Sequence, residues 1–314
     1  MPIPEPIRPL LDFVQADPSP ALNAIVVARN QGGTRIERLN LQGDAADSLR
    51  TIPVRFMRGL NNSLLMPYEI GYKPDDHELL VMSASENGVG PIVQSLLALA
   101  NLPLFAADDG VISHLRFYVF HLENAQGYKA LFLKKTSPKM ELGRRTLHAL
   151  MFAEDTFTQV EQKVLLFDEG FDCFIWGGSI YIRNVNNFSA IFDLIQQLRT
   201  RAGQTVDDIA DKIRIKNIDD FRSACTGQIQ MIAKLESIRR KPYLAELNMA
   251  QVKSVIDTYG LGITVEADDD GQESLVFEPH PERRWLILKL LDDDYLESDM
   301  TELKYAANSK TTVV

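Results

Sequence analysis

The sequence predicts an α+β protein in which mixed β-hairpins pack with several amphipathic helices, forming an N-terminal α/β half and a C-terminal α+β half. Two observations support this fold class. Apolar segments occur in pairs around short glycine-containing turns, which is typical of hairpins. Elsewhere apolar residues recur at steps of three and four, which is typical of helices with one buried face. The 314 residues are 45% apolar and 24% charged, the composition of a folded globular protein.

Residues 164–198 carry the clearest local pattern. Two apolar segments, 171–176 and 179–184, flank Gly177-Gly178. A Gly-Gly pair readily adopts the positive φ that a two-residue hairpin turn requires. After an Asn that can accept the first free amides of a helix, one helical face collects the apolar residues Phe188, Ile191, Phe192, Ile195 and Leu198. The pattern therefore predicts strand, turn, strand and helix.

Further elements are predicted on the N-terminal side. Residues 24–28 and 34–41 are strand candidates separated by a glycine-containing turn, and residues 89–100 form a helix candidate. Residues 114–123 and 128–134 form a hairpin around 124–127, because both arms are rich in β-branched and aromatic side chains. Between residues 45 and 61, Pro53 is expected to interrupt any single helix.

On the C-terminal side, apolar spacing predicts helices over 217–238 and 247–259, the second ending at Gly260. Residues 263–266 and 274–278 predict another hairpin around 268–271. The apolar run that follows Pro281 fits a helix or a buried strand equally well. We place a soft domain boundary between an N-terminal domain, 1–158, and a C-terminal domain, 159–314.

The lengths of the apolar runs and the positions of the two cysteines predict the localisation and the redox state of the protein. No apolar run approaches the roughly 20 residues that cross a bilayer, and residues 1–9 lack the pattern of a signal peptide. We therefore expect a cytoplasmic protein. Cys173 and Cys225 both lie in apolar segments, which favours two buried small side chains over a disulfide.

The distribution of charge is uneven. The formal net charge of −10 disfavours polyanions on average, but residues 129–145 hold six basic residues and one acidic residue, and 201–241 hold nine basic and six acidic. Three clusters of cations could contact phosphates. Their members are Lys134, Lys135, Lys139, Arg144 and Arg145; Lys212, Arg214 and Lys216; and Arg239, Arg240 and Lys241.

Catalytic signatures are weak. None of the five histidines has a partner at metal-ligand spacing, and residues 87–91 lack the Lys-Ser/Thr of a phosphate-binding loop. Asp168 and Asp172 could serve a metal-dependent nuclease, although acidic turns are commoner. We assign no catalytic residue, metal or cofactor, and expect a non-enzymatic protein.

Two stretches carry a family resemblance: VLLFDEGFDCFIWGGSIYIRNVNNFSAIFDL and ILKLLDDDYLESDMTELKYAANSK. They resemble the B subunit of the Kiwa bacterial anti-phage defence system. The resemblance implies an effector that binds double-stranded DNA with little sequence preference and blocks phage replication and transcription by occupancy. It also implies recruitment to the inner membrane by a transmembrane Kiwa A subunit. We further expect a homodimer or higher oligomer.

Three hypotheses follow. The first is a DNA-binding defence effector that uses the basic clusters. The second is a metal-dependent nuclease that uses carboxylates such as Asp168 and Asp172. The third is an adaptor without a nucleic-acid role, whose acidic C-terminal third, including residues 292–294, docks a basic partner.

Overall fold

The protein was analysed as a computed structural model, which describes residues 3–30, 33–105, 114–136, 141–142, 150–153, 156–159, 164–297 and 304–306. The chain divides into two compact units. Unit 1 comprises Met1–Tyr68 and Tyr72–Leu194, and unit 2 comprises Glu69–Gly71 and Ile195–Val314. Helices and strands are mixed in both, which confirms the predicted α+β class. Within the described residues, no helix combines the length and apolar character needed to cross a membrane.

Unit 1 is built around one large sheet with helices on its faces. Its helices are α1 (Arg8–Val14), α2 (Gly43–Arg58), α3 (Gly90–Leu97) and α4 (Val185–Ile191). The strands of the sheet are β1 (Ala21–Asn30), β2 (Gly33–Arg38), β3 (Leu64–Pro67), β4 (Glu78–Ser83), β5 (Leu115–Glu123), β6 (Lys129–Lys135), β11 (Cys173–Trp176) and β12 (Ser179–Ile182). Between β6 and β11 lie β7 (Glu141–Leu142), β8 (Leu150–Ala153), β9 (Thr156–Gln159) and β10 (Val164–Leu165); β7 pairs with β10, and β8 with β9.

The strand order of the large sheet is β2-β1-β5-β6-β11-β12-β4-β3, antiparallel throughout except for the parallel β3–β4 pair. Both faces are buried. Tyr118 and Phe120 lie in the same apolar cluster as Leu10 of α1 and Met57 of α2. Val119, on the opposite face, lies in a cluster with side chains of α3 and α4. Burial on both faces explains why the central strands are almost continuously apolar.

Unit 2 is mainly helical. It contains most of α5 (Leu194–Ala210), together with α6 (Ile218–Gly227), α7 (Ile229–Arg239), α8 (Met249–Tyr259) and α9 (Leu286–Leu291). Its strands are β13 (Ile215–Lys216), β14 (Val265–Ala267) and β15 (Glu273–Val276), in the order β13-β15-β14, and the separate pair β16 (Tyr295–Glu297) and β17 (Lys304–Ala306). The helices bury one apolar face each in a core that includes Val206, Phe221, Leu235, Ile256 and Leu288.

The predicted hairpins are confirmed. Strands β5 and β6 pair around a turn in which Gly127 has φ +82°. Strands β11 and β12 pair around Gly177 and Gly178, whose φ values of +57° and +79° fit a tight turn with positive φ at both central residues. The β14–β15 hairpin is also present, and the run after Pro281 forms the helix α9.

Three helix predictions are wrong in detail. Helix α2 continues through Pro53, which is buried in its interior; burial of the apolar face that includes Ile52 and Met57 offsets the lost backbone hydrogen bond. The helix predicted up to Leu198 is divided at Asp193, which has φ +55°. The helix predicted over 217–238 is divided at Gln228, whose backbone is extended.

The boundary between the compact units falls between Leu194 and Ile195. The β11–β12 hairpin pairs with β6 on one side and β4 on the other, so it belongs to the sheet of unit 1. The sequence-based boundary between residues 158 and 159 stays a prediction.

Candidate nucleic-acid interface

The first basic cluster lies at the end of β6, where strand alternation places consecutive side chains on opposite faces. Lys134 is half-buried, and its Nζ lies 3.4 Å from Asp172 Oδ1 and 4.0 Å from Asp168 Oδ2. Lys135 is exposed, and its side chain has no ion-pair partner among the described residues. Lys139, Arg144 and Arg145 lie outside the described residues. The structure therefore places one accessible cation and one internally paired cation here.

Asp172 is a buried connector between elements. Its side chain is 2% exposed. Its Oδ2 accepts the Lys135 backbone N–H at 2.8 Å, and its Oδ1 accepts Asn187 Nδ2 at 2.9 Å. The Asp172 backbone carbonyl also accepts the amides of Arg183 and Asn184. Since both carboxylate oxygens accept hydrogen bonds, Asp172 stabilises the junction of β6, β11 and α4.

This arrangement does not favour the metal-dependent nuclease. Asp168 is exposed, and its side chain contacts Lys134 rather than a second carboxylate. Among the residues that the structure describes, no group of three His, Cys, Asp or Glu side chains is arranged to hold a metal ion.

The second cluster lies at β13. Ile213 and Ile215 point into the core, and the alternation leaves Lys212, Arg214 and Lys216 exposed. Arg214 Nη1 lies 2.9 Å from Asp268 Oδ2, and Lys216 Nζ lies 2.6 Å from Glu266 Oε2. All four of these paired side chains are about half exposed, so the pairs are surface ion pairs of small energy. Lys212 has no ion-pair partner within the described ranges.

The third cluster, at the C-terminal end of α7, is partly used by the fold. Arg239 Nη2 lies 3.1 Å from Glu236 Oε2, and Lys241 Nζ lies 3.7 Å from Asp292 Oδ1. Both carboxylates are buried. Arg240 is exposed, with no ion pair to any described residue. The helix dipole and these two ion pairs explain most of this cluster structurally.

Of the acidic residues 292–294 only Asp293 is exposed, so two of the three carboxylates in the adaptor hypothesis are not available to dock a partner. Asp292 is 5% exposed and Asp294 is 2% exposed. Lys234 Nζ lies 2.6 Å from Asp292 Oδ2 and also pairs with Asp294, while Ser237 Oγ donates to Asp292 at 2.8 Å. Burial alone would lower the pKa of Lys234, but its hydrogen bonds to the two carboxylates outweigh burial and raise it. The network joins α7 to the chain that follows α9.

The two cysteines are buried and free, as predicted. Burial raises the pKa of the Cys225 thiol to about 12 and that of Cys173 well above its usual range. Neither thiol therefore has the thiolate character that redox or nucleophilic chemistry near neutral pH requires.

Helix α2 brings together cations that the sequence analysis did not group. Arg50, Arg55 and Arg58 all line one open groove in unit 1, of about 600 Å³. The expectation that Pro53 ends any helix removed the geometric reason to place them on one surface. Arg55 and Arg58, three residues apart, are neighbours on a continuous helix, and that spacing was the signal that could have revealed part of the groove.

Comparison with known proteins identifies the family. The family model described as "Kiwa protein KwaB-like" matches residues 112–301. The chain is also similar to the Kiwa protein KwaB of Escherichia coli O55:H7 (strain RM12579 / EPEC), with 24% identity over 187 residues. That similarity covers 58% of this chain and 58% of the relative's length. No solved structure was found to match. Because the family model spans more than half of the sequence, the chain belongs to the Kiwa protein KwaB-like family.

Proposed function

We propose that this chain is an anti-phage defence effector of a Kiwa system that binds double-stranded DNA without strong sequence preference. Membership of the KwaB-like family carries the proposal. The matched segment, 112–301, contains all eleven cations of the three basic clusters. Binding through phosphates would block phage replication and transcription by occupancy, so the proposal requires no catalytic residue.

The accessible cations support phosphate contact. Lys135, Lys212 and Arg240 are exposed and have no ion-pair partner among the described residues. Arg214 and Lys216 are held only by half-exposed carboxylates. Exposed pairs contribute about 0–1 kcal/mol, so a DNA phosphate can replace Asp268 or Glu266 at small cost.

Lack of sequence preference follows from the chemistry of these side chains. Lys and Arg contacts to phosphates carry no direct sequence information, and they bind polyanions with a strong dependence on salt. Local basic clusters permit such contacts although the whole chain carries a net charge of −10.

The test is a binding titration of the purified chain with duplex DNA at two salt concentrations, with and without Mg²⁺. The proposal predicts binding that weakens steeply with salt, does not depend on Mg²⁺, and leaves the DNA intact. Cleavage of labelled DNA in Mg²⁺ would support the nuclease instead. Absence of binding at low salt would contradict the proposal and favour the adaptor.

We also propose that a transmembrane Kiwa A subunit recruits this chain to the inner membrane. We further propose that the chain acts as a homodimer or higher oligomer; a dimer would double the number of phosphate contacts. Within its described residues the chain has no helix able to cross a membrane. Co-expression with the A subunit should move the chain into the membrane fraction. An unchanged distribution would contradict recruitment, and a monomeric mass from light scattering would contradict oligomerisation.

A further inference from the structure

The arginine groove is an open depression in unit 1, beside the C-terminal end of α1 and along α2. Its volume is about 600 Å³. The polar residues that line it are Gln15, Ser19, Asp47, Arg50, Thr51, Arg55 and Arg58. Three guanidinium groups and a single carboxylate line the groove, so its lining residues carry a charge of +2 in a chain whose total is −10, although Glu169 pairs with Arg55 beside the groove. Such a concave cationic surface attracts anions.

The arginines keep hydrogen-bonding capacity for a ligand. Arg50 is the least exposed of the three: its Nη1 lies 2.6 Å from Asp47 Oδ1 and its Nε is buried. Arg55 Nη1 lies 2.8 Å from Glu169 Oε1, and these two side chains are 62% and 75% exposed. Arg58 is exposed, with no ion pair to a described residue. A guanidinium group presents five donors in a fork that suits phosphate oxygens.

The shape of the groove indicates an extended ligand. Arg50 and Arg58 are eight residues apart, which corresponds to about 12 Å along an α-helix. Phosphates follow one another every 3.4 Å or so along the axis of one DNA strand, so this row of arginines spans several of them. Among the described residues, no aromatic side chain on which a base could stack lines the groove. These features favour a phosphate backbone over a single nucleotide.

We infer that the arginine groove contacts the phosphate backbone of double-stranded DNA. The groove lies outside the segment that matches the family, 112–301, so it is a contact surface separate from the three basic clusters. This inference rests on the proposed function, because it takes double-stranded DNA as the ligand. It assigns part of the DNA contact to residues of unit 1 that the family match does not include.

The test compares the salt dependence of duplex DNA binding between the unaltered chain and the double variant Arg55→Gln, Arg58→Gln. Both side chains are exposed, so the variant should keep its thermal unfolding midpoint. Each lost phosphate contact lowers the magnitude of the slope of log K against log salt by about 0.9, so the double variant should lose about 1.8. The control Arg29→Gln, Lys73→Gln removes the same charge from exposed positions that do not line the groove and should leave the slope unchanged.

A second variant has the opposite expected effect. Glu169→Gln removes the carboxylate that competes with phosphate for Arg55, so it should tighten DNA binding. The tightening should disappear when Arg55 is already Gln.

The outcomes separate the two proposals. If the unaltered chain binds DNA and Arg55→Gln, Arg58→Gln binds with an unchanged slope, the groove inference is overturned and the proposed function stands. If the unaltered chain fails to bind DNA at low salt, both are overturned. If ADP binds the groove and the double variant loses ADP but keeps DNA binding, the ligand is a free nucleotide, which also overturns the inference.

Discussion

At the scale of single residues, His121 shows how burial changes the pKa of a side chain. It is fully buried on β5, between Asn23 of β1 and Leu131 of β6. Desolvation lowers the pKa of His121, and the carboxylate of Glu123 opposes that shift only in part. The folded protein therefore favours the neutral imidazole.

This burial predicts a pH-dependent stability. As the pH falls through about 6.5, the pKa of histidine in an unfolded chain, His121 takes up a proton in the unfolded chain before it does in the folded chain. The free energy of unfolding should therefore fall as the pH drops from about 6.5 toward the lower folded-state pKa, by at most about 1.4 kcal/mol per pH unit. Above pH 7 or so this contribution is constant.

Urea denaturation of His121→Leu at several pH values checks this prediction. The variant should lose part of the decline below pH 6.5 or so, and its stability relative to the unaltered chain should increase as the pH falls. His280→Gln is the control, because His280 is exposed and its side chain stays solvated in the folded chain. Equal pH dependence in the unaltered chain and in His121→Leu would contradict the prediction.

At the scale of elements, Asp172 joins β6, β11 and α4 through the hydrogen bonds to Lys135 and Asn187. Asp172→Ala would leave Lys134 without its closest carboxylate and the Lys135 amide without its acceptor. Removing one partner of a buried ion pair costs about 3 kcal/mol or more. We therefore expect a large decrease in the free energy of unfolding.

Asp168→Ala is the matched control, since Asp168 is half exposed and its carboxylate lies 4.0 Å from Lys134 Nζ. A change within about 0.5 kcal/mol is expected there. Chemical denaturation of both variants measures the difference. Equal losses in the two variants would mean that Asp172 does not have the connecting role assigned to it.

The hairpins could be predicted because their causes are local. Gly127, Gly177 and Gly178 supply positive φ at the turns, and apolar arms flank them. The helix breaks at Asp193 and Gln228 could not be predicted, because the apolar spacing continues across both sites. Only tertiary packing changes the direction of the chain there. Helix α2 was missed for the opposite reason: its buried face stabilises a helix that Pro53 alone would end.

The sequence shows which basic residues the candidate site contains, but not which of them are accessible to a ligand. The three basic clusters are visible in the sequence, whereas Lys134 and Lys216 meet carboxylates 38 and 50 residues away in the chain. Such pairs depend on the tertiary fold. They divide the described cations into those that stabilise the protein and those, such as Lys212 and Arg240, that remain exposed to a ligand.

For the whole molecule, the proposed DNA binding must overcome a net charge of −10. Accessible cations in the family-matched segment and the arginine groove would concentrate positive charge locally, while buried networks such as Lys234 with Asp292 and Asp294 keep acidic groups away from solvent. Salt screening should therefore dominate the affinity.

The most direct measurement is the slope of log K against log salt concentration for two duplexes of equal length and unrelated sequence. Non-specific phosphate binding predicts nearly equal affinities and one shared slope steeper than about −3, corresponding to at least three or four released counterions. A slope near zero, or strong preference for one of the two sequences, would contradict the account.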